Sequence, residues 1–294
     1  MTHSSAQPEL VYVCLTHVPL PLAFPDYVTP LYSGEAQGDG QLNLRDLAPQ
    51  WVQHHPALGS IAGTFALKNL LLTRHPQAGR VGICHYRKFI SPQRISGVRS
   101  PSYKVMDVVH ADLLRGAAFG ELMHPGSAEF LVSAPRVFTR LPWYRRGYLK
   151  EYARDHHVED LLRFTAAAVE QGVLDSTDVL PFLNEDVLIP GGIELGVYPA
   201  AFWIEHIGQV ETVARSCVER YPARREGYQA RAWAFCAERL GSYMLLKHFR
   251  SLCATDFGTR HSEWLNRRRW TRRFAGQMNL ITQHRDERGY VGGV

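Results

Sequence analysis

The sequence predicts an α/β fold: a mixed, mostly parallel sheet flanked by helices. Three stretches carry that expectation. Residues 10–15, LVYVCL, are uniformly apolar and rich in β-branched and aromatic side chains, the pattern of a strand buried on both faces. Residues 80–89, RVGICHYRKF, begin as a second apolar strand, preceded by the Pro and Gly of HPQAGR. Between them Ser60–Arg74 reads as a helix, with Ile61, Phe65, Leu67, Leu71 and Leu72 as a broad apolar face. Strand, helix, strand is a βαβ unit, and its strands are expected to pair in parallel.

The elements follow in order. Residues 1–9 are polar and read as a tail. The first strand runs into Thr16 and His17, then a proline-rich loop. Residues 26–34, DYVTPLYSG, read as a loop or short helix, and residues 35–49 as a flexible excursion rich in Gly, Asp and Gln. Ser60 is placed to cap the helix that follows. Lys68 and Asn69 sit elsewhere on its circumference. The second strand delivers His85, Tyr86, Arg87 and Lys88 together. In open α/β sheets ligands bind at the carboxyl ends of strands, so this cluster is a candidate site. The competing reading is a strand that merely surfaces into a basic loop.

Residues 91–128 are weakly patterned, with a strand and a helix start in VMDVVHADLL. EFLVS, residues 129–133, reads as a short strand. The aromatic and basic stretch 142–152 passes into a helix ending at Gly172. Its His156 and His157 are adjacent, not the i, i+4 pair of a helical zinc site. One of them can line a cleft, with Asp160 as partner. Residues 182–190, FLNEDVLIP, place Asn184, Glu185 and Asp186 before an apolar strand and the pair Gly191-Gly192. Those carboxylates suit a sugar or metal site, or are simply turn residues. Two long helices follow, over 198–221 and 224–248. Glu238 and Arg239 stand together in the otherwise apolar second helix.

The chain has 294 residues and a net charge of +5. Arg260–Phe274 holds six arginines against Glu263, a surplus equal to the whole net charge, so the basic character is local. With Trp264, Trp270 and Phe274 interleaved, the segment reads as a helix for an anionic membrane surface or as a solvated helix whose aromatics pack on the domain. Nucleic acid is the competing partner, but it is not the expected one, because no binding motif accompanies the charge. The five cysteines are scattered without a CxxC pair, as expected of reduced core thiols in the cytoplasm. No apolar run approaches the roughly 20 residues of a membrane span.

Taken in order, these stretches resemble a family of bacterial capsular and exopolysaccharide biosynthesis glycosyltransferases of undefined specificity. The family is related at the fold level to the GT-A nucleotide-sugar transferases. The resemblance rests on VYVCLTH, DYVTPLYSG, TFALKNL, VGICHYRKF, EYARDHHVEDL, NEDVLIP with the Trp-containing helix FWIEHI, and AERLGSYML. It covers residues 10–250, and HYRKF is its most specific motif. The sequence departs from the pattern at GSIAGTFAL, where acidic and aromatic residues are usual, and at Glu185-Asp186-Val187, where the family has Asn-Met.

The resemblance implies a single GT-A-like catalytic domain over 10–257, followed by a basic segment over 258–294. It implies transfer of a sugar from a nucleotide donor, UDP-linked by expectation, to a saccharide or lipid-linked acceptor of surface polysaccharide. The alternative functions are a non-catalytic sugar- or nucleotide-binding relative of the same fold and a basic nucleic-acid-binding protein. Such a protein works in the cytoplasm, at the inner membrane if Arg260–Phe274 binds lipid. The diphosphate leaving group needs either a divalent metal, Mn or Mg, or fixed cations. No Asp-x-Asp ends the second strand. Arg87 and Lys88, helped by Lys68, are expected to replace the metal, with His85 as a metal ligand in the alternative. Thr16, His17, Asn69, Tyr86, Asn184, Glu185 and Arg239 complete the expected nucleotide-sugar contacts. Asp186, Glu238 and His157 are the candidate catalytic bases.

Overall fold

The centre of the molecule is a sheet of ten described strands. In a computed structural model, residues 9–34, 42–95, 97–100, 105–138, 147–221, 225–253 and 260–283 are described. The strands in the amino-terminal part are β1 (Leu10–Thr16), β2 (Val28–Tyr32), β3 (Leu42–Asn43), β4 (Arg80–His85), β5 (Lys88–Ser91), β6 (Val98–Arg99) and β7 (Met106–His110). Further along come β8 (Val132–Ser133), β9 (Arg136–Val137), β10 (Val187–Leu188), β11 (Gly196–Pro199) and β12 (Ala275–Thr282). The sheet order is β3-β2-β1-β4-β5-β12-β7-β6, with β11 also on β4 and β8 also on β12. β9 and β10 form a separate small ribbon.

β1 pairs in parallel with β2 on one side and β4 on the other, so its apolar sequence is explained by burial on both faces. Gly82 on β4 lies opposite Tyr12 on β1. A Cβ at Gly82 would meet the Tyr12 ring at 2.2 Å, so the missing side chain is what lets that ring lie across the strand.

The short helices α1 (Leu44–Leu47) and α2 (His55–Leu58) precede α3 (Ser60–Arg74), the crossover between β1 and β4. Ile61, Phe65, Ala66, Leu67, Leu70 and Leu71 of α3 are buried in one apolar cluster. Buried side chains come from almost every turn, which is why the helix reads as apolar and not as amphipathic. α4 (Ala117–Met123) contributes Phe119 and Met123 to a second cluster with Phe89, Ile90, Val109 and Leu280. The remaining helices are α5 (Tyr148–Asp155), α6 (Val158–Glu170), α7 (Val179–Leu183), α8 (Ala200–Arg220), α9 (Ala232–Leu252) and α10 (Arg260–Phe274). No helix of the described residues is long and apolar enough to cross a membrane.

Several sequence expectations are corrected here. DYVTPLYSG holds strand β2, despite Pro30 in its middle. HYRKF is not the end of one strand: Tyr86 and Arg87 form a turn, and Lys88 begins β5, antiparallel to β4. The helix expected through ARDHHVEDLL is broken at His156-His157 into α5 and α6. Tyr198 belongs to β11 and not to the helix after it. Ser60 does not cap α3. Gly59 occupies that position at φ 53°, without a side-chain cap.

The expected boundary at residue 257 is also displaced. β12 lies between β5 and β7 inside the main sheet, so residues 275–282 belong to the same fold as 10–253. α10, which leads into β12, turns Trp270 and Phe274 inward against Phe249, with centroids 5.4 and 4.7 Å away. These two aromatics are spent on the core, and Arg268, Arg269, Arg272 and Arg273 stay exposed. The expected tail 1–9 and the side chain of Trp264 lie outside the described residues, apart from Glu9.

Candidate functional site

A cavity of about 460 Å³ opens at the carboxyl ends of β1 and β4. The first strand brings Thr16 and His17 to it, and the second brings His85, Tyr86 and Arg87, with Lys88 returning on β5. Gly59 and Ser60, at the start of α3, form a second wall. Gly191, Glu194 and the first two turns of α9 form the third. Arg136 on β9, and Glu151, Arg154, Asp155 and His156 on and beside α5, close the far end.

The glycines explain how the third wall is built. Gly191 and Gly192 have φ of 84° and 48°, a left-handed pair that a side chain would strain. A Cβ at Gly192 would sit 2.7 Å from the backbone oxygen of Glu238. The turn therefore packs directly on α9, and the Gly191 N–H donates to Glu238 Oε1 at 2.8 Å. One carboxylate oxygen of Glu238 is held, and the side chain remains half-buried at the cavity.

Glu194 follows this turn and is nearly fully buried. Ser60 Oγ donates to its Oε2 at 2.6 Å. Burial raises the Glu194 carboxyl to about 8, and Glu238 nearby adds to the effect, so it holds its proton at neutral pH. Burial pushes the Lys88 ammonium down, and the charge of Glu238 opposes that shift. Burial lowers His85 to about 3 and His55 to about 4, with Lys88 and His17 adding to the respective shifts. Burial also lowers His17, whose ring meets Tyr86 edge-on at 5.1 Å. The imidazoles at the mouth are thus neutral, and the cations there are Arg87, Lys88 and Arg231.

The predicted residues divide into two groups. Thr16, His17, His85, Tyr86, Arg87, Lys88, Glu238 and Arg239 are brought together around the cavity. The Thr16 hydroxyl is occupied locally, donating to Val18 O and accepting from its N–H. The second group lies away from it. Lys68 is paired with Glu211 at 2.5 Å, a carboxylate that also accepts from Trp51 Nε1 at 2.7 Å. Asn69 donates to Leu47 O. Asn184 is exposed and donates to Leu180 O. Glu185 takes a two-pronged ion pair from Arg250, at 2.7 and 3.0 Å. Asp186 does not line the cavity; its backbone oxygen accepts from Phe138. His157 is an exposed cap of α6, whereas its neighbour His156 lines the cavity and stacks on Phe235. Glu194, Arg231 and Ser60 are cavity residues the sequence did not single out for chemistry. The Gly-Gly pair three residues before Glu194 was the available signal.

The two carboxylates of this end are held by Ser60 and by a backbone N–H. Among the described residues no group of three or more His, Cys, Asp or Glu is arranged to hold an ion.

The same α/β architecture occurs in a solved glycosyltransferase. The chain is similar to the apo structure of WbbM, a bifunctional glycosyltransferase, with a TM-score of 0.62 at 11% identity, over 93% of this chain and 46% of WbbM. It thus spans about half the length of that protein, and at this identity the likeness concerns the fold alone. No family model and no curated protein matches the sequence.

Proposed function

We propose that the chain is a glycosyltransferase that moves a sugar from a nucleoside diphosphate donor to a saccharide or lipid-linked acceptor. The observation that carries this reading is the convergence of Arg87, Lys88 and Arg231 at the carboxyl ends of two parallel strands, in a fold shared with a glycosyltransferase. A departing diphosphate concentrates negative charge, and guanidinium and ammonium groups in a partly desolvated cleft stabilise it. The acceptor oxygen attacks the anomeric carbon, the bond from that carbon to the phosphate oxygen breaks, and the diphosphate leaves with the electron pair. Glu238, held by the Gly191 N–H, takes the acceptor's proton. Glu194, neutral, keeps the wall beside Lys88 from adding a second negative charge near the leaving group.

The sequence resemblance supports a UDP-linked donor and an acceptor belonging to bacterial surface polysaccharide. The exposed arginines of α10 support contact with an anionic membrane surface, by charge and without Trp270 and Phe274, which pack on the core. The test is donor hydrolysis across a panel of nucleoside diphosphate sugars, with EDTA present and with manganese added. Turnover of one donor in EDTA, lost in Glu238→Gln, is the expected result. Absence of turnover with every donor under both conditions contradicts the reading.

A further inference from the structure

One stretch of the cavity wall is polar without carrying a cation. Ser60, His85 and Glu194 line it. Ser60 Oγ donates to Glu194 Oε2 at 2.6 Å, and the Glu194 backbone lies against the His85 ring. His85 faces Lys88 across the Tyr86-Arg87 turn, so the three groups adjoin a cation assigned to the diphosphate. Glu194 is only 6% exposed. His85 Nε2 is buried and has no hydrogen-bond partner among the described residues. A polar atom sealed from water in this way calls for a partner. Glu194 also feels the charges of both Lys88 and Glu238.

We propose that Ser60, His85 and Glu194 form the subsite for the transferred sugar, and that it takes an uncharged hexose by its ring hydroxyls and rejects a hexuronate. The proposal rests on the reading of the cavity as a nucleotide-sugar site. The chemistry fixes where the ring must lie. Its anomeric carbon is bonded to the diphosphate that Lys88 neutralises, and the attacking oxygen that Glu238 deprotonates approaches the same carbon. Glu194 is within the influence of both groups and therefore borders the ring. A hydroxyl is donor and acceptor at once, so it satisfies the His85 nitrogen in either tautomer. Burial holds His85 and Glu194 toward their neutral forms, so neither supplies the fixed positive charge that a sugar carboxylate needs. A hexuronate sets its carboxylate against the carboxyl groups of Glu194 and Glu238, while the nearby cations are engaged by the diphosphate.

The test titrates the full chain, in EDTA, with UDP, UDP-glucose, UDP-galactose, UDP-glucuronate and UDP-galacturonate. At least one UDP-hexose is expected to bind about tenfold or more tightly than its own hexuronate, the scale of one hydrogen bond to a buried partner. Glu194→Leu is expected to abolish that preference. Ser60→Ala, a smaller change that releases the Glu194 carboxyl, is expected to weaken it. UDP binding by each variant reports whether its cavity is folded. If UDP binds while hexose and hexuronate bind alike in both pairs, or the hexuronate binds more tightly, the subsite is overturned and the nucleotide reading stands. A preference that survives in both variants also overturns it. If neither UDP nor any of the four sugars binds, the nucleotide reading falls and the subsite falls with it.

Discussion

Ser60 Oγ donates to Glu194 Oε2 at 2.6 Å across 134 positions of sequence, joining the first turn of α3 to the turn that precedes β11. The bond fixes a buried carboxyl at the wall of the cavity, within the field of both Lys88 and Glu238.

The protonation of Glu194 makes stability pH-dependent. Its folded-state value, about 8, lies above the ordinary carboxylate value, so the folded chain binds the proton more tightly than the unfolded chain. The contribution is therefore complete at acid pH below the unfolded value, and it is lost as pH rises through about 8. Its size is on the order of a few kcal/mol. Glu194→Gln keeps an oxygen for Ser60 and removes the titration. Thermal unfolding from pH 6 to 9 is expected to show wild type falling several degrees further than the variant. Parallel curves contradict the assignment.

Lys68 and Lys88 share an expected role in the sequence but hold different positions in the structure. Lys68→Met leaves Glu211 with Trp51 and Arg215 as its partners. The expected outcome is a loss of about 1–3 kcal/mol in stability, from a buried carboxylate deprived of its closest cation, with nucleotide affinity unchanged. Denaturant unfolding and nucleotide titration on the same preparation separate the two. Weakened nucleotide binding at full stability is the contrary result.

The Gly191-Gly192 turn positions the proton acceptor by contact. Gly192→Ala introduces a Cβ 2.7 Å from the Glu238 backbone oxygen, at a φ of 48°. Overpacking of this kind costs about 1–3 kcal/mol, and the displaced turn withdraws the Gly191 N–H from Glu238. Turnover is expected to fall more than donor affinity does. Unchanged kcat with an unchanged melting temperature contradicts the positioning role.

β1, α3 and β4 were legible because uninterrupted apolar runs, in the strands and around most of the helix, are local signals. β2 was not, because Pro30 argues against a strand and its place beside β1 is a tertiary fact. β5 was hidden behind the charges of Arg87 and Lys88, although Phe89 and Ile90 are fully buried. β12 follows an arginine-rich helix whose composition outweighs the strand pattern of MNLIT. The basic cluster at the end of β4 was visible in the sequence. Glu194 was not singled out: the Gly191-Gly192 pair before it marks a turn, and only the tertiary packing of that turn buries the carboxylate. His156 and His157 carry the same chemistry, and only the break between α5 and α6 decides which faces the cavity.

The most direct measurement is calorimetric titration of wild type and Lys88→Met with nucleoside diphosphates, UDP first, in EDTA. Burial holds the Lys88 ammonium below its ordinary value, so its removal is expected to leave the melting temperature unchanged or raised. Binding by wild type without metal, weakened about tenfold or more in the variant, is the result this account predicts. Failure of wild type to bind any nucleoside diphosphate, or equal affinity in Lys88→Met, contradicts it.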